Sequence, residues 1–286
     1  MKAMITGKGG QLGDALIATA PAGIQLDPTD RMVLDLNDRL AIAAYVAASR
    51  PDMVINAAAY TAVDKAEADF DTATAINNHA VEALAVATRK AGARFVHIST
   101  DFVFDGQASS PYTVDAPVAP LGAYGQTKYA GEVAALAAGA LVVRTAWVYA
   151  KGGQNFVTTM LRLMTQRDEV RVVNDQFGTP TWANSLAEGV WQMVEKNVSG
   201  VYHYTDGGIA SWYEFAGAIQ DHALNIGLLK RRVKLTPITT AEYPTAAQRP
   251  AYSVLDKDLT TALLGHAASD WRVNLHKMLE EMAADG

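Results

Sequence analysis

A short apolar run, Met1 to Ile5, ends in the glycine-rich turn Gly7-Lys8-Gly9-Gly10-Gln11-Leu12-Gly13, after which Leu12, Ala15, Leu16 and Ala20 recur at helical spacing. Strand, glycine turn and amphipathic helix in that order are the opening of a βα unit whose turn can approach a pyrophosphate. Gly7 permits the tight turn, Gly10 lets backbone come close to phosphate, and Gly13 lets the helix pack on the strand. Phosphates bound there would meet the positive N-terminal end of the helix. A plain loop is the alternative reading of the glycines, and the flanking strand and helix argue against it.

The rhythm continues. Ile24 to Leu26 is predicted as a second strand ending in Asp27, and Asp38 to Ser49 as a helix capped by Asn37. Met53 to Asn56 is a third strand, Thr72 to Ala91 a helix stopped by Gly92, and Phe95 to Ile98 a fourth strand. A helix from Gly125 to Ala138 and a strand from Leu141 to Arg144 follow. This alternation predicts an α/β, Rossmann-like doubly wound parallel sheet with right-handed crossovers. Beyond Arg144 the order loosens. Helices are expected at Phe156 to Gln166, Asn184 to Glu195, Trp212 to Ala223 and Asn274 to Met282, with strands at Val170 to Val173 and Val201 to Tyr204. Thr236 to Ala251, holding Pro237, Pro244 and Pro250, reads as an irregular loop. The expected division is a dinucleotide-binding domain over residues 1–146, completed by part of 170–204, and a smaller, mainly substrate-binding region over 147–286.

Charge and composition narrow the function. With 24 basic and 30 acidic residues the net charge is −6, which argues against electrostatic capture of nucleic acid or an anionic membrane. Cysteine is absent, so disulfides, thiolate metal sites and a cysteine nucleophile are excluded, and a cytoplasmic setting is expected. The sequence runs straight into a strand, leaving no room for a signal peptide, and no apolar run reaches the ~18 residues of a membrane helix. The six histidines lack metal-ligand spacing, and no GxSxG elbow supports serine hydrolysis. His97 reads as a packed strand residue, and Trp147, Trp182, Trp191 and Trp212 as core.

The remaining motifs point to carbonyl chemistry. Tyr124 and Lys128, four residues apart in Tyr124-Gly125-Gln126-Thr127-Lys128, share one helix face. A tyrosine can supply the proton as hydride reaches a carbonyl carbon, and a lysine charge beside it favours tyrosinate and can bind ribose hydroxyls. His97-Ile98-Ser99-Thr100-Asp101 ends the fourth strand, where open α/β sheets bind ligands, and a hydroxyl there can donate to a carbonyl. Thr100 could equally be a strand-end cap. Asp27, twenty residues after Gly7, can accept hydrogen bonds from the adenosine ribose and would repel the 2′-phosphate of NADPH unless a cation such as Arg31 relieves it. An aspartate before Pro28 also fits a plain turn. Arg249 is a candidate phosphate clamp or a surface arginine.

TGxxGxxG at Thr6 to Gly13, Asn56-Ala57-Ala58-Ala59, Ser99-Thr100-Asp101 and the Tyr124/Lys128 pair together resemble the extended short-chain dehydrogenase/reductases. Six longer runs narrow the likeness: Gly7 to Gly13, Asn56 to Glu67, Ser99 to Gly106, Arg144 to Tyr149, Asn174 to Thr181 and Arg249-Pro250 resemble the dTDP-4-dehydrorhamnose reductase family. The resemblance implies reduction of the 4-keto group of a dTDP-4-keto-6-deoxysugar, dTDP-4-dehydro-L-rhamnose, by NADPH or NADH. It implies Tyr124 as proton donor, Lys128 as its support and ribose ligand, and Thr100 orienting the carbonyl. Thr100, Asp101 and Trp147 would line the sugar site. Gly10, Gln11, Leu12, Asp27, Asp35, Leu36, Ala59, Tyr60 and Thr61 would line the cofactor. Some members of the family dimerise around Mg²⁺ held by helix carboxylates; here the matching positions are Ala15 and Asn184, leaving Glu188. No structural Mg²⁺ is expected, and the chain is expected to be a monomer or a metal-independent homodimer. Reduction of a related nucleotide 4-keto-6-deoxysugar remains open, as does a non-catalytic dinucleotide-binding regulatory subunit; an epimerase that retains its cofactor fits the later motifs less well.

Overall fold

Strands buried on both faces need apolar residues at consecutive positions, and those strands send alternate side chains into two different cores. The computed structural model, which describes residues 1–284, shows this in every inner strand. Six parallel strands form the central sheet: β1 (Lys2–Thr6), β2 (Gln25–Thr29), β3 (Met53–Asn56), β4 (Arg94–Thr100), β5 (Leu141–Thr145) and β6 (Gly200–His203), in the order β2-β1-β3-β4-β5-β6. Ala3, Ile5, Ile55, Val96 and Val143 enter one core, beneath the helices Gln11–Ala18 and Ala183–Glu195. Met4, Val54, Phe95 and Val142 enter the other, beneath the helices Arg39–Ser49, Ala80–Lys90 and Ala123–Ala137. Ile5 and Ile55 are fully buried, and truncating either to alanine costs about 2–5 kcal/mol. The doubly wound Rossmann-like architecture expected from the βα alternation is the one observed.

The chain leaves β1 for β2 on one side and returns for β3 on the other, so a crevice opens at the carboxyl ends of β1 and β3. Thr6 and Asn56 face each other there, the threonine hydroxyl donating to the Asn56 side-chain oxygen at 2.6 Å. The sheet is not finished within the first half of the chain. After β5 the chain departs, and Gly200–His203 comes back to pair with Leu141–Arg144.

The excursion and the C-terminal segment form a third core. Helices Phe156–Gln166, Trp212–Asn225 and Trp271–Ala284 enclose Tyr149, Phe215 and Trp271. A two-stranded parallel sheet, Glu169–Val173 with Lys234–Ile238, flanks them.

Three local expectations need correction. Asp38, not Asn37, caps the helix Arg39–Ser49, accepting from the amides of Leu40 and Ala41 at 2.9 Å, while Asn37 donates to Asp35. A carboxylate one residue nearer the helix reaches the free amides, and the two cap candidates were adjacent in sequence. The segment from Thr236 is not loop throughout: the strand Lys234–Ile238 includes Pro237, opposite Val172. A ribbon of only two strands leaves each strand a free edge, which tolerates a missing amide hydrogen. The helix expected over 72–91 is three segments, Phe70–Thr74, a π turn at Ala75–His79 and Ala80–Lys90. The π turn carries the buried Asn77, whose side chain holds the Tyr60 backbone at both its amide (2.8 Å) and its carbonyl (3.1 Å).

Candidate active site

One cleft of about 890 Å³ runs along the carboxyl ends of the strands, from the glycine turn to the Trp147 region. At one end the helix Gln11–Ala18 starts directly after Gly10, which offers its amides no side-chain cap. The turn is held by backbone: the amides of Gly7 and Lys8 both donate to the Thr29 carbonyl at 3.1 Å. Gly7 has φ +92°, and a Cβ there would lie 2.8 Å from the Ala58 nitrogen. A Cβ on Gly13 would lie 2.1 Å from the Gly7 carbonyl oxygen. Close approach at Gly13 is therefore to the turn itself, rather than to the strand. An uncapped helix start beside a glycine cradle fits the pyrophosphate of a dinucleotide.

Of the residues expected in the site, Gly7, Gly10, Gln11, Leu12, Asp35, Leu36, Ala59, Tyr60, Thr61, Thr100, Asp101, Tyr124, Lys128, Trp147 and Arg249 all line this cleft. Asp27 does not. β2 continues through Pro28 to Thr29, so its carboxyl end lies beyond Asp27. The Asp27 carboxylate faces helix Arg39–Ser49 instead, accepting from Tyr45 at 2.9 Å and from Ser49, and pairing with Lys2 at 3.2 Å. Burial opposes its ionisation, but these partners together hold its carboxyl below the usual range. Asp30 and Arg31 take the place at the cleft, and the Asp30 carboxylate accepts from the amides of Met32 and Val33 at 2.9 and 3.0 Å. A strand that runs through a proline hid this shift from the sequence.

At the centre of the cleft, β4 delivers Thr100 and the helix Ala123–Ala137 delivers Tyr124 and Lys128. The Thr100 hydroxyl accepts from the Phe102 amide (3.2 Å) and donates to Asp101 (3.0 Å), so the strand-end cap is present at a residue that also lines the cleft. Tyr124 packs edge-on against Phe102, ring centroids 5.5 Å apart. Burial pushes the Tyr124 phenol up to about 12, with Thr100 opposing and Asp101 reinforcing the shift. Burial likewise pulls the Lys128 ammonium down to about 8 and raises Asp101 to about 6. At the Tyr124 phenol burial is the largest influence, and that shift favours the protonated phenol. Lys128 Nζ donates one of its three hydrogens to the Ile98 carbonyl at 2.6 Å.

The far end is aromatic. Trp147 lies flat on Trp212, centroids 3.4 Å apart and planes within 6°. Its backbone has φ +47°, a left-handed conformation costly for a bulky residue. Gly178 makes room: a Cβ there would lie 2.5 Å from the Trp147 ring. Trp212, read as core from the sequence, lines the cleft, its indole nitrogen donating to Gln176 at 3.1 Å, whereas Trp191 is buried as expected. Nothing local to Trp212 signals this; only the fold brings it to Trp147. Arg249 is ion-paired at 2.8 Å to Asp64, which also accepts from the Ala247 amide at 3.2 Å. This ties the proline-rich loop to the segment following β3.

Residues 1–284 match the family described as the RmlD substrate binding domain. A dTDP-4-dehydrorhamnose reductase of Burkholderia thailandensis is 43% identical over 285 residues, covering 95% of this chain and 96% of that protein. The chain belongs to the dTDP-4-dehydrorhamnose reductase family. Among solved structures of that family, the one from Clostridium acetobutylicum shares 41% identity and superposes with a TM-score of 0.92, covering 99% of each chain. The Bacillus anthracis reductase, solved in complex with NADP, shares 36% identity with a TM-score of 0.93, over 98% of this chain and 99% of that one. The resemblance read from the six sequence runs is thereby borne out. The helix positions Ala15, Asn184 and Glu188 lie on the two helices that cover one face of the sheet. No helix among the described residues is long and apolar enough to cross a membrane.

Proposed function

We propose that this protein reduces the 4-keto group of dTDP-4-dehydro-L-rhamnose to give dTDP-L-rhamnose, with NADPH or NADH as reductant. The observation that carries the reading is the convergence of a partly buried Tyr124 with Thr100 and Lys128 in one cleft with a glycine cradle and an indole pair. The names of the full-length relatives supply the substrate.

The chain's part in the reaction follows from its own groups. The glycine turn and the helix start at Gln11 hold the pyrophosphate; Ala59, Tyr60 and Thr61 border the nicotinamide side. The reduced dinucleotide, when bound, supplies hydride to the sugar C4. Thr100 and Tyr124 orient the C4 carbonyl oxygen, and Tyr124 gives its phenolic proton to that oxygen as negative charge develops on it. Lys128 stabilises the tyrosinate that results and hydrogen-bonds ribose. Asp101 and Trp147 contact the sugar. Arg249 and the neighbouring Lys65 offer positive charge to the substrate diphosphate. Arg31 is placed to meet a 2′-phosphate: Asp27 lies outside the cleft, and two amides already bind the Asp30 carboxylate.

The test is reduction of enzymatically made dTDP-4-dehydro-L-rhamnose, followed by loss of reduced-nicotinamide absorbance, with NADH in parallel and the product identified by NMR. Formation of dTDP-L-rhamnose is the expected result. A C4 epimer would move the substrate to a related 4-keto-6-deoxysugar pathway. Cofactor binding without turnover would mark a non-catalytic dinucleotide-binding subunit.

A further inference from the structure

One helical turn beyond Lys128 lies a buried ionic cluster that the reaction above does not use. Glu132 follows Lys128 by one helical turn and has no exposed surface. Arg144 of β5 clamps its carboxylate, Nε to Oε1 at 2.9 Å and Nη2 to Oε2 at 2.8 Å. Ser99 of β4, beside Thr100, donates to the same carboxylate. Arg144 is anchored further by the Val114 carbonyl at 3.3 Å and by the Phe104 ring, 5.1 Å from its guanidinium carbon. One carboxylate thus joins the helix of Tyr124 and Lys128, the strand of Thr100 and the next strand of the sheet.

Burying an ion pair is weak evidence for stability, since an apolar replacement of equal volume often does as well. Its placement suggests another use. Lys128 is itself buried, and its ammonium has a neutral acceptor, the Ile98 carbonyl. The titratable and charged groups around it are Tyr124 and Glu132 on its own helix, His97 and Asp101 from β4 and the turn after it, and Arg144 from β5; the π turn contributes the neutral Asn77. His97 is buried and held well below its usual range, first by burial and then by the Lys128 charge, so it supplies no counter-charge. Asp101 is committed to Thr100. Of the two carboxylates, Glu132 is the one whose charge favours the Lys128 ammonium form.

We infer that Glu132 is a positioning residue for the reduction: clamped by Arg144 and Ser99, it keeps Lys128 charged and in register with Tyr124 and Thr100. This rests on the reading that Tyr124 and Lys128 carry out the reduction. Because the Tyr124 phenol titrates near 12, the alkaline limb of kcat/KM belongs to Lys128, and activity falls as pH rises through about 8. Removing the Glu132 charge lowers the lysine's pKa, so the limb moves to lower pH.

Two measurements test this on the full-length protein. The first is an NMR titration of the labelled Lys128 side chain without cofactor, assigned by its loss in K128M. The second is the pH profile of kcat/KM. E132Q is expected to lower both midpoints by on the order of one unit. Should E132Q fold poorly around an unpaired Arg144, E132M/R144M replaces the pair by apolar side chains and is expected to restore the melting temperature but not the Lys128 midpoint. A purely structural staple predicts the reverse: E132Q melts earlier, and the lysine titrates as in wild type in whichever variant folds. That result, or a wild-type Lys128 midpoint far below 8, overturns the inference. Wild-type turnover separately decides the underlying reading, because the lysine titration needs no substrate.

Discussion

The two ends of the cleft are made of different material. The cofactor end is largely backbone: glycines, alanines and a helix start, fixed by amide-to-carbonyl hydrogen bonds such as those to Thr29. The substrate end is side chain: an indole pair, an arginine paired across two loops, and a left-handed tryptophan. A backbone cradle cannot be altered without disturbing the turn that forms it, whereas an indole can be trimmed with the fold intact. Stability and ligand affinity should therefore be coupled at the first end and separable at the second.

The largest effect is expected between the two ends. Tyr124→Phe should lower kcat by about 10²–10⁴-fold, read in steady-state turnover, while both ligands still bind, because only the proton is lost. Full activity in that variant would sink the assigned chemistry. Gly13→Ala should next destabilise the protein by about 1–3 kcal/mol, since the new methyl group meets the Gly7 carbonyl at 2.1 Å. Thermal melting and dinucleotide titration should worsen together; affinity lost at an unchanged melting temperature would break the proposed coupling. Trp212→Ala removes one face of the stack, worth about 0.5–1.5 kcal/mol. Its signature is a raised KM for the keto sugar with an unaltered dinucleotide Kd. Arg31→Ala should show the smallest change, up to about fivefold in KM, because the side chain is solvent-screened. Seen with NADPH alone, it would identify Arg31 as the side-chain exception in the backbone-built half; an equal change with NADH would remove that role.

The same contrast explains what the sequence revealed. Strand, glycine turn and helix are contiguous, so the cradle could be read from adjacent residues, as could Tyr124 and Lys128 one helical turn apart. The two-faced burial of β1, β3 and β5 was legible from unbroken apolar runs. Asp27 misled because β2 is expected to end there, whereas it carries on through Pro28 to Thr29. Spacing placed Lys128 beside Tyr124 but gives no account of its burial or of the Ile98 carbonyl. Trp212 and Glu132 were invisible for a different reason. Their partners, Trp147 and Arg144, are distant or on another element, and an aromatic or acidic residue in a helix carries no mark of what it will face.

The late return of β6 has a consequence for biosynthesis. Leu141–Thr145 leaves the ribosome about 55 residues before Gly200, roughly 3–11 s at ordinary rates of synthesis. For that interval its outer side is an open parallel edge, made of the residues Leu-Val-Val-Arg-Thr, able to pair with any other extended chain. A nascent chain stalled in this window, or a fragment cut near residue 147, would present the sticky edge that the finished molecule covers.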